Sequence, residues 1–479
     1  MQTEIQSLHL PLEGHVDRHL PGKFIARLAR PVFARLSSRA MSRVLESRDP
    51  PVAAGSRWPR RYTIAGLFFF GTVLCYLDRV SISVAIIPLA IEQGYDSAAQ
   101  GLILSAFFWG YLWPQLAGGW LADRFGGKRV LALGVVVWSL ATFVTPGAAR
   151  RSFTVLFAVR ILLGLGEGVN FPAIHSLTAR WMPQRERART LALNFSGMYL
   201  GTVVAVILSP WIIAAFGWPA LFYLSGAAGG VWVVTWSIKA ADAPACPLPE
   251  SQGQIGESYA VGFEPVHHTL PIYTPPTSIP WLTIAREPAV WAIVLAHFCS
   301  NFGFNILLLW LPTYLHHAFG VPVSRVGIYS LLPWLASFAA VNSGGWVADA
   351  MLMRRVSVGL TRKVMQSIAF GLGALPLLAM PWASSPAAAT GLLTLSAAAS
   401  GLGLSAYGVN HLDVGPEYAG VLMGISNSIA TVPGIVGVAI AGFIVQATNS
   451  FSAVFFLIAA VYAIGLAGYT TWASGDRRL

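Results

Sequence analysis

The feature that most constrains this chain is a pair of opposite charges inside an apolar run. Residues 153–174 hold Arg160 and Glu167 among leucines, glycines and phenylalanines. At about 1.5 Å per residue the run is long enough to cross a bilayer. Seven positions apart, the two charges share one helix face, roughly 10 Å from each other along the axis. A charge at bilayer depth costs about 3 kcal/mol on insertion scales. The face that carries it is therefore expected to look into a bundle interior or an aqueous cavity. Gly164, Gly166 and Gly168 between the charges invite close approach of a neighbouring helix. A second in-span pair, Asp78-Arg79, repeats the pattern.

Only 11% of the 479 residues are charged and 55% are hydrophobic; soluble domains run near about 25% charged. An all-α integral membrane protein follows. Apolar windows predict twelve spans near 62–89, 98–121, 130–146, 153–174, 191–215, 218–238, 288–316, 325–348, 364–381, 387–409, 420–446 and 452–472. Twenty-six of the 31 Lys and Arg residues fall on one side if the N-terminus is inside, against Arg150, Arg151 and Arg325 outside. The net charge of +11 thus reads as a topology signal and not as nucleic-acid binding. Gly118-Gly-Trp-Leu-Ala-Asp123 recurs as Gly344-Gly-Trp-Val-Ala-Asp349, each at the inner end of the second span of its half. A duplicated architecture of two pseudo-symmetric six-helix halves explains the repeat. In that register Asp78-Arg79 stands opposite Phe304-Asn305, and all charge within spans is expected in the first half.

The expected organisation is a basic tail at 1–61, a six-helix bundle at 62–239, a Pro-rich linker at 240–287, a second bundle at 288–472 and a tail at 473–479. Arg- and Ser-bearing residues 24–39 resemble an organellar transit peptide, while Glu4, Glu13, Asp17, Glu46 and Asp49 favour a cytosolic tail; both readings stand. Cys75, Cys246 and Cys299 make no disulfide framework, and His297, His316 and His317 have no metal-ligand spacing. No cofactor or metal is expected, and no nucleophile–base pattern supports an enzyme. Gly164-Leu-Gly-Glu-Gly168 follows no strand, and Gly126-Gly-Lys-Arg129 lacks the Ser/Thr of a phosphate loop.

Gly119-x-x-x-Asp123-Arg124-x-Gly126-Gly-Lys128-Arg129 resembles the inner-loop signature of the major facilitator superfamily. More narrowly, the chain resembles the anion/cation symporter family of vesicular glutamate and nucleotide transporters, sialin, sodium–phosphate carriers and plant type-4 phosphate transporters. The matching stretches include Asp78-Arg-x-x-x-Ser-Val-Ala-Ile86, Phe107-Phe-Trp-Gly-Tyr111, residues 160–172, Leu311-Pro-Thr-Tyr314 and Asn410-His-Leu-Asp-Val-Gly-Pro-Glu-Tyr418. The resemblance implies the major facilitator fold and alternating-access transport of a small anion, with Arg79 and Arg160 central and Glu167 and Asp78 coupling a cation. Leu104 and Ser300 replace a histidine and an arginine of the vesicular glutamate transporters, which argues against glutamate.

Arginine forks suit carboxylate or phosphate oxygens. Tyr111, Asn301, Asn305 and Asn427 are candidate neutral ligands, and each is equally a helix–helix hydrogen-bonding residue. His175, placed near the outer end of the fourth span, is a candidate proton relay or a cap. Asp123, Arg124, Lys128 and Arg129 read as an inner-gate latch, with Asp349 as its weaker repeat. The function expected is proton- or sodium-coupled anion transport, inorganic phosphate first and a sugar acid, ascorbate or nucleotide second; a non-transporting membrane sensor is the rival. A monomer in a plastid membrane, or otherwise a plasma or vesicle membrane, is expected.

Overall fold

The computed structural model describes residues 60–182, 184–242 and 279–479. Most of the tail and of the Pro-rich linker, with Cys246, lies outside the described residues. Every regular element within them is helical: α1 (Arg60–Gln93), α2 (Ser97–Phe125), α3 (Gly127–Arg151), α4 (Phe153–Glu167), α5 (Asn170–Trp181), α6 (Gln184–Phe216), α7 (Trp218–Lys239), α8 (Trp281–Arg286), α9 (Pro288–Phe319), α10 (Val323–Met353), α11 (Val358–Ala379), α12 (Pro386–Leu402), α13 (Tyr407–Val414), α14 (Ala419–Ile429), α15 (Val432–Thr448) and α16 (Ser452–Trp472). Among the described residues, eleven helical stretches are long and apolar enough to cross a membrane. Ser97–Phe125, at 29 residues, has the length of a twelfth. The protein is an integral, multi-pass membrane protein, consistent with the twelve expected spans.

Local chemistry sets many of the helix ends. Asp96, Ser152, Ser357 and Ser385 each accept a backbone N–H three residues on, opening α2, α4, α11 and α12. Gly320, at φ 63°, closes α9 in the left-handed conformation that L side chains avoid.

Three spans expected to be continuous are broken. The fourth is α4 and α5, parted at Gly168–Val169; the tenth is α12 and α13, parted by a 3-10 turn at Gly403–Ser405; the eleventh is α14 and α15, parted at Ala430–Thr431 just before Pro433. Hydropathy reports burial and not the backbone ladder, so none of these breaks is visible to it. Discontinuous helices are tolerated at membrane depth where the freed backbone is buried in protein or lines a cavity.

The same pairing recurs in each half. Helix α4 packs on α2 and α3 as α12 packs on α10 and α11, and α3 packs on α7 as α11 packs on α16. Between the halves, α2 lies against α15, α6 against α10 and α1 against α9. The α2 seam runs inward from its outer end: Ser97 donates to the Gln446 side chain, Gly101 abuts Gly442, Phe108 meets Gly434, and Asn427 donates to Gln115.

One sequence expectation is corrected here. Charge within spans is not confined to the first half: Arg362 on α11 and Asp413 on α13 form an ion pair of 2.8 Å, with side chains only 8% and 17% exposed. The helices extend beyond their apolar windows, so these residues count as loop by hydropathy and lie within packed helix in the fold.

Candidate functional site

The site begins on one face of α1. Thr72, Cys75, Tyr76 and Arg79 follow the i, i+3, i+4, i+7 spacing that aligns side chains along a helix. Opposite them stand Glu167, at the end of α4, and Asn170, at the start of α5. The glycines expected to admit a neighbour do so: a Cβ on Gly164 would overlap the Phe107 carbonyl, and one on Gly166 would lie 2.7 Å from the Trp138 nitrogen. Helices α2 and α3 are thereby drawn against α4.

Arg79 donates from Nε and Nη2 to Glu167 Oε2, at 3.1 and 2.9 Å. The Cys75 thiol donates to the same oxygen at 3.2 Å. The second oxygen, Oε1, is buried with no hydrogen-bond partner. The Arg79 guanidinium carbon lies 4.5 Å from each of three ring centroids, Tyr76, Phe107 and Tyr111. A cation among aromatic faces with a carboxylate at its edge is held by geometry as well as by charge. One turn inward, Asn170 donates to the Thr72 hydroxyl and Thr72 to Asn194 Oδ1, at 3.2 and 2.6 Å.

Arg160 is 1% exposed, with its guanidinium carbon 6.0 Å from the Phe107 centroid. Its Nε and Nη1 have no hydrogen-bond partner. It interacts electrostatically with Glu167, Asp78 and Arg79 but forms no ion pair within 4 Å among the described residues. Both Asp78 oxygens are likewise buried and unpartnered. Adjacent positions on a helix point about 100° apart, and Arg79 pairs with Glu167 and not with its neighbour Asp78. The shared face of Arg160 and Glu167 is an interior one, although Glu167's partner is Arg79 and not its helix neighbour.

The neutral candidates divide. Tyr111 belongs to the Arg79 cage. Asn305 is buried on α9, while Asn301 is tied to the Ala430 carbonyl at 3.0 Å and Asn427 to Gln115, so these two are engaged in helix contacts. His175 requires correction. The fourth span runs inward, and His175 sits on α5 beyond the break, two turns from Trp181, whose indole donates to Ala241 at the start of the linker. It is therefore on the inner side, exposed, with Nδ1 at 2.8 Å from the Phe171 carbonyl.

In the gate cluster, Lys128 Nζ donates to the Ser237 carbonyl and the Lys128 amide to Asp242 Oδ1. Asp242 packs against Gly126, whose φ of 88° and crowded surroundings leave no room for a side chain. Arg124 and Arg129 are exposed, as is Asp349; the Asp123 side chain lies outside the described residues. Sequence reasoning missed Asp242, as well as Thr72, Cys75, Asn170 and Asn194. The α1 spacing from Arg79 and the one-turn offset from Glu167 could have pointed to all of these but Asn194 and Asp242.

Residues 68–438 match the family model of the Major Facilitator Superfamily. The chain is 41% identical over 423 residues to the probable anion transporter 4, chloroplastic, of Oryza sativa subsp. japonica, covering 88% of this chain and 70% of that protein. It is 40% identical over 423 residues to the sodium-dependent phosphate transport protein 1, chloroplastic, of Arabidopsis thaliana (88% and 80% covered). It is 41% identical over 425 residues to the ascorbate transporter, chloroplastic, of the same plant (88% and 76%). Among solved structures, a bacterial homologue of the human lysosomal transporter Spinster, inward-facing and unoccupied, matches with a TM-score of 0.70 at 17% identity, covering 87% of this chain and 97% of that one. At that identity the likeness is one of fold.

Proposed function

This chain belongs to the Major Facilitator Superfamily, and on that premise we propose that it is a secondary active transporter of a small anion, inorganic phosphate first, driven by a proton or sodium gradient. The observation that carries the reading is Arg160: a buried guanidinium with two unpartnered nitrogens beside a second arginine engaged by an acid. A planar fork of this kind matches phosphate or carboxylate oxygens in pairs. The relatives named as anion, phosphate and ascorbate transporters support the same class.

In this mechanism an anion meets Arg160 first, then Arg79 as it leaves Glu167. A proton on the unpartnered Glu167 Oε1 neutralises the acid, weakens its pair with Arg79 and frees that guanidinium for the anion. Residues 62–239 and 288–472 act as the two bodies that rock about the site, and Lys128 and its neighbours steady the inner end of the first. A plastid membrane is the proposed location, in keeping with the chloroplastic relatives. Ascorbate is the second reading: the Tyr76, Phe107 and Tyr111 rings around Arg79 suit a flat organic anion.

Counterflow in proteoliposomes tests the proposal. Vesicles preloaded with phosphate are expected to accumulate labelled phosphate, with ascorbate and glutamate compared as competitors. Phosphate that neither exchanges nor competes removes it as substrate, and failure of every anion tested removes the transport reading.

A further inference from the structure

The inner side of the second half carries a groove that the anion site does not use. Helices α8, α9, α14 and α16 enclose about 640 Å³ there. Arg286 stands at one end, Trp291 and Trp472 flank it, and Leu295, Phe298 and Ile429 line the rest. Local contacts build the walls. The Trp291 indole donates to the Ala285 carbonyl at 2.7 Å, which ties α9 to the end of α8. A Cβ on Gly468 would lie 2.3 Å from the Leu295 side chain, so α16 rests directly on α9. Asn301 donates to the Ala430 carbonyl at 3.0 Å and holds the end of α14, with Ile429, against the same helix.

Length, rim and charge all point to a lipid. From Pro288 to Phe298, α9 advances ten residues, roughly 15 Å, which is half of the ~30 Å hydrocarbon core and so the depth of one leaflet. Trp291 and Trp472 are half-exposed, and Trp281 and Leu282 on α8 are exposed as well. Indoles with one apolar and one wet end belong at headgroup depth, which places α8 in the interface. Arg286 is exposed and forms no ion pair or side-chain hydrogen bond among the described residues. The acid beside it, Glu287, accepts the Ala289 amide at 3.2 Å instead. Arg477 and Arg478, by contrast, are paired with Glu417 and Asp476 at 2.7 and 3.7 Å. A guanidinium left over at headgroup depth presents parallel donors to phosphate oxygens.

We propose that this groove is a site for one anionic phospholipid, with its phosphate on Arg286 and an acyl chain between α9, α14 and α16. A chain seated on Ile429 packs one residue before the break at Ala430–Thr431, so occupancy braces α14 against α9. The site does not depend on which anion the protein carries, or on whether it carries one.

Native mass spectrometry of the purified full chain reads the site without requiring transport. The chain is titrated with phosphatidylglycerol and, separately, with phosphatidylcholine of the same acyl chains. One phosphatidylglycerol is expected to bind about tenfold more tightly, because the choline ammonium opposes the guanidinium. Arg286→Ala is expected to remove that preference and Arg286→Lys to keep part of it. Ile429→Trp, which fills the groove, is expected to weaken both lipids, with the unfolding midpoint showing that the variant is folded. If it does not fold, the exposed Arg286 decides alone. Lys363→Ala removes a cation from the open face of α11 and is expected to leave the preference intact. Equal affinity for the two lipids in the wild type, or an undiminished preference in Arg286→Ala, overturns the site. A preference lost equally in Lys363→Ala reduces it to diffuse attraction and also overturns it. Inorganic phosphate that displaces phosphatidylglycerol through Arg286 makes free phosphate the occupant and removes the lipid.

Discussion

The first six spans and the last six share a packing scheme but treat their buried charge in opposite ways. In the last six, Arg362 is answered in full: Asp413 takes Nε and Nη2, the Ser405 carbonyl takes Nη1, and Asn410 donates to Asp413 in turn. Tyr469 and the Ser474 carbonyl complete that network. In the first six, four charges leave Asp78 Oδ1 and Oδ2, Arg160 Nε and Nη1, and Glu167 Oε1 without partners. Duplication preserved the helix contacts, while the chemistry diverged, with Phe304-Asn305 standing where the first half has Asp78-Arg79. A satisfied buried network rigidifies the helices that carry it, while buried charge without partners is costly and marks a functional site. Under the proposed function, Arg362–Asp413 is a structural pair and the anion belongs to the first half.

The largest effect is expected at Glu167. Glu167→Gln mimics the protonated acid and should abolish uphill uptake driven by a pH gradient, while exchange between preloaded vesicles continues. Uptake that keeps the wild-type pH response would return Glu167 to the role of arginine partner.

Arg160→Lys comes next. The charge is preserved, but an ammonium cannot present two parallel donors. Loss of one charged contact of about 1.5–3 kcal/mol lowers the apparent affinity for the anion about ten- to a hundredfold. Unchanged affinity and rate would exclude Arg160 from the binding site.

Arg362→Met probes the opposite half. It leaves the half-buried Asp413 carboxylate with Asn410 as its remaining donor and should destabilise the fold by about 3 kcal/mol, seen as a lower unfolding midpoint. The double variant Arg362→Met/Asp413→Leu should recover much of that loss, and transport per folded molecule should change little in the double variant. A folded double variant that has lost coupling would erase the contrast between the halves.

The smallest effect belongs to the repeated Asp. Asp349 is exposed, so Asp349→Asn should lower the transport rate by roughly twofold or less. Asp123→Asn should cost more, because a basic run follows Asp123 and not Asp349. Equal rates in the two variants would mean that the two inner ends work alike.

Much of this could be read from residues alone. Apolar windows set the spans, basic residues set the inner side, and Arg160 and Glu167 in an apolar run had to face the interior because lipid solvates no charge. The Gly-Gly-Trp repeat implied two halves before any helix was placed. Pairing was not legible. Residues seven apart on one helix are held roughly 10 Å apart by the helix itself, so Glu167 could not reach Arg160 along α4. Only the crossing of α1 brought Arg79, 88 positions away, to 2.9 Å and added the Cys75 thiol to the same oxygen. The break after Glu167 is a decision of the same kind. Hydropathy determines whether a residue is buried; the crossing of helices distant in sequence determines against what.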